Sequence, residues 1–119
     1  MSGNVKFNGW INDDGSENYK CRAWVNFNGT GTVAIRASGN VSSITDNGTG
    51  TYTVNFATAM PDANYTAVGS ADRTIGTRQC VVVIGNGVAA MITTSVGVNT
   101  LNDGQTIADA AYVGVSVFR

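Results

Sequence analysis

Asn47-Gly48-Thr49-Gly50-Thr51-Tyr52-Thr53-Val54-Asn55-Phe56 is the stretch that decides the fold of this chain. From Thr51 onward large apolar residues alternate with polar ones, so Tyr52, Val54 and Phe56 share one face and Thr51, Thr53 and Asn55 the other. A period of two describes a half-buried β-strand. The turn ahead of it, Asn47-Gly48-Thr49-Gly50-Thr51, repeats Asn28-Gly29-Thr30-Gly31-Thr32 at an offset of nineteen residues, which predicts two hairpins of one design.

Asn-Gly ordinarily closes a two-residue type I′ turn. That register would pair Ile44 with Thr51 and leave Tyr52, Val54 and Phe56 on the face opposite Ile44, splitting the core. An odd-length loop, Asp46-Asn47-Gly48 with Gly48 left-handed in a bulge, pairs Ile44 with Gly50 and returns Ile44, Tyr52, Val54 and Phe56 to one face. The same loop in the first copy groups Ala23, Val25, Val33 and Ile35, with Phe27 at the turn.

Farther out, runs rich in Val, Ile, Thr and aromatic residues recur between Gly and Asn, and no stretch keeps helical spacing over three turns. Strands are predicted over Lys6–Ile11, Lys20–Phe27, Thr32–Ala37, Val41–Thr45, Thr51–Thr58, Tyr65–Ala71, Gln79–Ile84, Val88–Val96 and Ala111–Phe118. Leu101–Ala110 offers a short, poorly patterned helix. The unbroken apolar run Cys80–Ile84 predicts a strand covered on both faces, with a second copy of the chain as a source of that cover. Gly85-Asn86-Gly87 reads as a tight turn between two apolar strands, and Ala59–Tyr65, which holds the one proline, Pro61, as the link out of the central strand. Asp72–Arg78 and Asn99–Asp109 read as long polar loops. The fold class is therefore all-β, an antiparallel sandwich or barrel-like arrangement.

A length of 119 residues suits one domain, residues 1–119. Apolar residues make up 43% and the net charge is −1, a balance that folds; charged residues at 13% are well below the roughly 25% that is usual. Lys6, Lys20, Arg22, Arg36, Arg73, Arg78 and Arg119 form no basic stripe, which argues against nucleic acid as a partner. No apolar run reaches the roughly 20 residues that span a bilayer, and Met1-Ser2-Gly3-Asn4 opens no signal peptide, so membrane insertion is not expected and synthesis in a cytoplasm is. Cys21 and Cys80, the only two cysteines, read as buried free thiols.

The chain has no histidine, which removes Ser-His-Asp and Cys-His nucleophile pairs and zinc sites that need imidazole. Asn12-Asp13-Asp14-Gly15 fails as a calcium loop, since aligning Gly15 with the invariant glycine puts Trp10 where a carboxylate is required. The Gly-Thr-Gly segments open no helix and precede no Lys-Ser or Lys-Thr, so they are turns and not phosphate cradles. Neither a metal nor another cofactor is expected. The eight carboxylates, Asp13, Asp14, Glu17, Asp46, Asp62, Asp72, Asp103 and Asp109, all fall in polar turns, where nothing raises a pKa as a glycosidase acid requires. A catalytic role is therefore not expected. Among aromatic residues that suit sugar stacking, Trp10, Trp24, Tyr19, Tyr52, Tyr65 and Tyr112, Trp24 lies inside a strand and reads as core.

The text from Lys20 to Val33 (Lys20-Cys21-Arg22-Ala23-Trp24-Val25-Asn26-Phe27-Asn28-Gly29-Thr30-Gly31-Thr32-Val33), Asn40 to Gly48, and Tyr52 to Phe56 resembles a segment near the C-terminus of many phage tail-fibre proteins. Met60-Pro61 and Tyr65 continue it. The resemblance covers somewhat over a third of the chain and is literal, turns included. It implies a β-rich distal fibre domain that packs as a homotrimer in the virion and contacts a bacterial surface receptor, a glycan or an outer-membrane component. It further implies that the chain is a C-terminal piece of a longer fibre protein. Receptor contacts are expected in the unmatched, polar part, at Arg73, Arg78, Asn99, Asn102 and Asp103. The alternatives are a purely structural virion part and an envelope-glycan depolymerase.

Overall fold

The structure is a computed structural model that describes residues 11, 13–16, 20–72, 81–85, 90–102 and 104–119. Among these, every regular element is a strand: β1 (Cys21–Asn28), β2 (Ala34–Gly39), β3 (Val41–Gly48), β4 (Thr51–Phe56), β5 (Thr66–Asp72), β6 (Val81–Ile84), β7 (Ser95–Leu101) and β8 (Tyr112–Phe118). They form two antiparallel four-stranded sheets, ordered β2-β1-β8-β5 and β3-β4-β7-β6. The all-β expectation holds.

Period-two alternation in the sequence becomes alternation of burial. From the first sheet Ala23, Val25 and Phe27 of β1 and Val113, Val115 and Val117 of β8 point inward. Tyr52, Val54 and Phe56 of β4 and Val96 and Val98 of β7 meet them from the second sheet. The two layers interlock through edge-to-face rings, Phe27 on Tyr52 with centroids 5.2 Å apart and Phe56 on Tyr65 at 5.9 Å.

Asn40 turns the chain from one sheet to the other. It sits at φ 55°, a left-handed conformation that asparagine tolerates better than most residues. Its side chain binds both flanks: Nδ2 donates to the carbonyls of Arg22 (3.1 Å) and Thr58 (3.0 Å), and Oδ1 accepts from Thr58 N–H (2.7 Å). β2 and β3 are thus nearly one strand bent across two layers, the usual way a strand changes sheets.

The turn registers differ from expectation. Ile44 does share a face with Tyr52, Val54 and Phe56, but it pairs with Val54, not with Gly50. The odd residue that sets this parity sits in a bulge between Asp46 and Gly48, and the tip is Thr49-Gly50, so Asp46-Asn47-Gly48 is not the loop itself. A second bulge between Val41 and Ser43 brings Val41 inward as well. In the first hairpin Val33 and Ile35 pack against the core that contains Ala23 and Val25, as expected, but Phe27 is fully buried in β1 and pairs with Ile35.

Two further expectations are corrected. The described residues 102 and 104–110 are not helical: Asn102 Oδ1 accepts from Gly104 N–H and Thr106 N–H, both at 3.0 Å, and these local bonds compete with a helix for the same donors. The segment folds back on Thr100, whose hydroxyl donates to the Ala108 carbonyl at 2.6 Å. Of the strand predicted over Val88–Val96, the described residues 90–94 are not strand and β7 begins at Ser95, because Ile92 N–H bonds the Ser95 carbonyl (3.0 Å) and turns the chain through Thr93-Thr94; Asn86 and Gly87 of the predicted tight turn lie outside the described residues. β6 lies at the edge of its sheet, and on the face that Val82 and Ile84 share both are half-buried, Val82 standing next to Gly69 of β5; the residues of its other face, where the second cover is expected, lie outside those whose side chains are described. The strand buried at successive positions on both faces is β7, from Ser95 to Val98, where Ser95 and Gly97 are small enough to be covered closely without being strongly apolar. Lys6–Trp10 of the first predicted strand and Cys80 lie outside the described residues; Cys21 is an exposed free thiol, not a buried one.

Candidate recognition face

The outward faces of the two sheets present opposite chemistry. On the second sheet Ser43, Thr45, Thr53 and Asn55 point out and bond one another: Asn55 Nδ2 lies 3.1 Å from Ser43 Oγ and 3.0 Å from Thr45 Oγ1, and Asn47 Nδ2 donates to Thr53 Oγ1 at 2.6 Å. These polar groups are already paired. On the first sheet Trp24, Val68, Tyr112 and Phe118 face outward, all of them exposed.

Register explains the arrangement. Ser116 of β8 lies between Trp24 of β1 and Val68 of β5, and Gly39 of β2 lies on the other side of Trp24. Gly114 lies between Asn26 and Ser70. Small residues on the central strand between larger ones on its neighbours leave a trough along β8. Its first part, about 370 Å³, is bordered by Trp24, Asn26, Val68, Ser70, Gly114 and Ser116. An adjoining hollow of about 160 Å³ shares Asn26, Ser70 and Gly114 and runs on to Asp72 and Tyr112.

Both end rings are held in place. The pyrrole edge of Trp24 occupies the space where a Cβ on Gly39 would stand, so a glycine there lets the indole lie against the sheet while 44% of the residue stays exposed. At the far end the Arg36 guanidinium sits 4.1 Å over the Tyr112 ring, a cation–π contact, with Nη1 3.4 Å from Asn26 Oδ1. Tyr112 keeps 50% of its surface open.

Trp24 is therefore not a core residue, contrary to the expectation from its place in a strand. With Ala23, Val25 and Phe27 inward, a strand must send Trp24 outward. That parity was in the sequence, and it is the signal that identifies the platform. The positions of Gly39, Ser116 and Gly114 beside it are set by strand pairing and had no local signal.

Of the residues expected to touch a receptor, the two that are described, Asn99 and Asn102, do not line this trough. Arg73, Arg78 and Asp103 lie outside the described residues. Asn99 is in β7 and not in a loop, paired with Thr51 and Val83, and its Oδ1 is buried with no hydrogen-bond partner among the described residues. Asn102 is committed to the turn it caps.

Several carboxylates are tied to donors. Asp109 Oδ1 accepts from Gly50 N–H (2.8 Å) and lies 2.8 Å from the Tyr52 hydroxyl. Asp46 accepts from Gly48 N–H, and Asp14 from Ser16, which holds the Asp14 carboxyl below its ordinary pKa. Asp62 bonds Arg119 through both oxygens, and these bonds bring its pKa down to about 2. In Asp14 and Asp62 these bonds favour the ionised form, the reverse of what a general acid needs. Among the described residues no cluster of His, Cys, Asp and Glu is grouped as metal ligands are. Compared with protein-family models, curated proteins and solved structures, the chain finds no match in any of the three.

Proposed function

We propose that this chain is the receptor-binding tip of a phage tail fibre, a non-catalytic module that attaches the virion to a bacterial surface through the outward face of the β2-β1-β8-β5 sheet. The observation that carries the proposal is the open trough between Trp24 and Tyr112, on a sheet whose opposite counterpart has already paired its outward polar groups. The literal likeness of residues 20–65 to fibre segments supports the viral setting. A sheet face displayed at a fibre end is repeated in each subunit, and a homotrimer brings three copies to one surface, so that weak single contacts gain by avidity. The tethered carboxylates support attachment over glycan cleavage.

The test is binding of the fluorescently labelled chain to a panel of Gram-negative and Gram-positive cells, together with its mass in solution. The expected result is a trimer that binds at least one strain and releases no sugar from it. A monomer that binds no strain overturns the proposal, and sugar release would replace attachment with depolymerisation.

A further inference from the structure

We infer that the trough along β8 is a saccharide site that takes an uncharged polysaccharide chain, with one pyranose ring stacked on Trp24 and the chain running toward Tyr112. The inference rests on the proposed attachment role only for the source of the glycan. The site stands on its own geometry.

The walls supply both halves of sugar recognition. A pyranose has an apolar C–H face and a rim of hydroxyls, so it needs a flat aromatic surface with donors and acceptors beside it. Trp24 is that surface, and its orientation is set in advance by the space over Gly39, which lowers the ordering cost of binding. Ser116, Ser70, Asn26 and Asp72 stand along the same trough. From the Trp24 row to the Tyr112 row is the distance from Ser116 to Tyr112, about 13 Å at roughly 3.3 Å per strand residue. That exceeds one pyranose ring, so the trough fits a chain and not a monosaccharide.

Charge selects the kind of chain. Asp72 borders the trough, and Arg36 stands behind Tyr112, committed to its ring. Among the described residues, one carboxylate and one engaged guanidinium leave no surplus positive charge along the trough to attract an acidic polymer. Peptide is disfavoured by position: the trough runs along the face of β8, which is paired with β1 on one side and β5 on the other, so its floor offers no free edge for an added strand. A second copy of the chain would need about 800 Å² of matching surface per partner, whereas here Trp24, Val68 and Tyr112 are set apart by Ser and Gly.

The experiment titrates the full chain with purified bacterial-envelope polysaccharides, one neutral set and one acidic set, by calorimetry and by tryptophan fluorescence in a Trp10→Phe background where Trp24 alone reports. At least one neutral polysaccharide is expected to bind and shift Trp24 emission. Trp24→Ala should weaken that binding on the order of tenfold. Gly114→Val should abolish it by filling the floor: the backbone there is ordinary strand, and a Cβ would crowd Ser70 Oγ alone, at 3.2 Å, with the Ser70 and Val25 carbonyl oxygens at ordinary contact distances of 3.9 and 4.0 Å. Unchanged far-ultraviolet dichroism in both variants keeps the readout separate from folding. If cells bind the chain but no neutral polysaccharide does, the saccharide inference falls and the attachment role stands. Preference for the acidic set, or neutral binding indifferent to Gly114→Val, also overturns the inference. If Trp24→Ala instead converts an oligomer to a monomer, the face is an interface between copies and the inference is wrong.

Discussion

Residues 28–32 and 47–51 carry the same five residues, Asn-Gly-Thr-Gly-Thr, and close two hairpins in different ways. In the first, β1 and β2 last pair at Asn28 and Ala34, leaving residues 29–33 as the loop, and Asn28 Oδ1 accepts from both the N–H (3.0 Å) and the hydroxyl (2.7 Å) of Thr30. In the second, Gly48 pairs with Thr51, the tip shrinks to Thr49-Gly50, and Asn47 reaches outward to Thr53. The second glycine of each copy is left-handed, Gly31 at φ 58° and Gly50 at φ 62°; of the first glycines only Gly48 has positive φ, at 132°.

The flanking residues make the difference. Asp46 precedes the second copy and accepts the Gly48 N–H at 3.0 Å, which folds the bulge. Phe27 precedes the first copy, is fully buried and has no acceptor to offer, so β1 continues to Asn28. Docking then fixes each turn. Gly29 donates to the Ala110 carbonyl (2.9 Å) and its own carbonyl lies 2.7 Å from the Tyr52 hydroxyl, while Gly50 donates to Asp109 and accepts from Thr100 N–H (2.9 Å). Both turns rest on the end of the same 102–110 segment, through different glycines. Identical local sequence sets the menu of turns, and the contacts beyond it choose among them.

The sharpest way to break this comparison is to give the two left-handed glycines a methyl group. Gly50→Ala adds left-handed strain and a Cβ that would stand 2.8 Å from both Ala108 N and Thr100 O, so about 3 kcal/mol of stability should be lost. Gly31→Ala adds the strain alone, with nothing within 4 Å, and should cost about 1 kcal/mol. Urea denaturation measures both; equal losses would mean that docking does not distinguish the copies.

Tyr52→Phe removes the hydroxyl that lies between the two turns and should cost about 1–2 kcal/mol. Burial first, and the Asp109 carboxylate second, raise the Tyr52 pKa above its ordinary 10.0. A raised tyrosine pKa means the neutral hydroxyl is favoured in the folded state. Its stabilisation is complete below pH 10 and is lost as the pH climbs from there toward the folded-state value. Alkaline unfolding followed by dichroism should therefore steepen above pH 10 in the native chain and be shallower in Tyr52→Phe. Parallel curves would remove Tyr52 from that role.

Smaller effects separate the asparagines. Asn28→Ala should cost about 1 kcal/mol through the lost Thr30 bonds, and Asn47→Ala, on the surface, should stay within about 0.5 kcal/mol. Smallest in energy is a chemical contrast. Succinimide formation at Asn-Gly needs the glycine nitrogen free to attack the asparagine side chain, releasing ammonia. Gly29 is buried with its N–H on the Ala110 carbonyl, whereas Gly48 is exposed and its N–H is held only by the exposed Asp46 carboxylate, a bond that water readily replaces. Peptide mapping after incubation at mildly alkaline pH should find deamidation at Asn47 ahead of Asn28, and the reverse order would show that the first turn opens more readily than its contacts imply.

Much of the architecture was legible because it depends on parity. Ala23, Val25, Phe27, Tyr52, Val54, Phe56, Val113, Val115 and Val117 face the core as a period of two requires. Where local chemistry competed, the reading failed. Residues 102–110 were open to a helix until Asn102 claimed its donors, and Met91-Ile92 looked continuous with β7 until Ile92 bonded Ser95. The site was half legible: Trp24 had the parity of an outward residue, yet its aromatic bulk argued for the core.

By itself the sequence determined the β class, the inward face of β1, β4 and β8, and the absence of imidazole chemistry, since each follows from composition or from a spacing along one strand. Only the tertiary structure decided which small residues lie beside Trp24, which glycine of each repeated turn is buried, and where residues 102–110 come to rest. Those depend on pairing between strands far apart in the chain, β1 with β8 about ninety residues on and β4 with β7 forty or more on, and no local pattern encodes a partner at such distances.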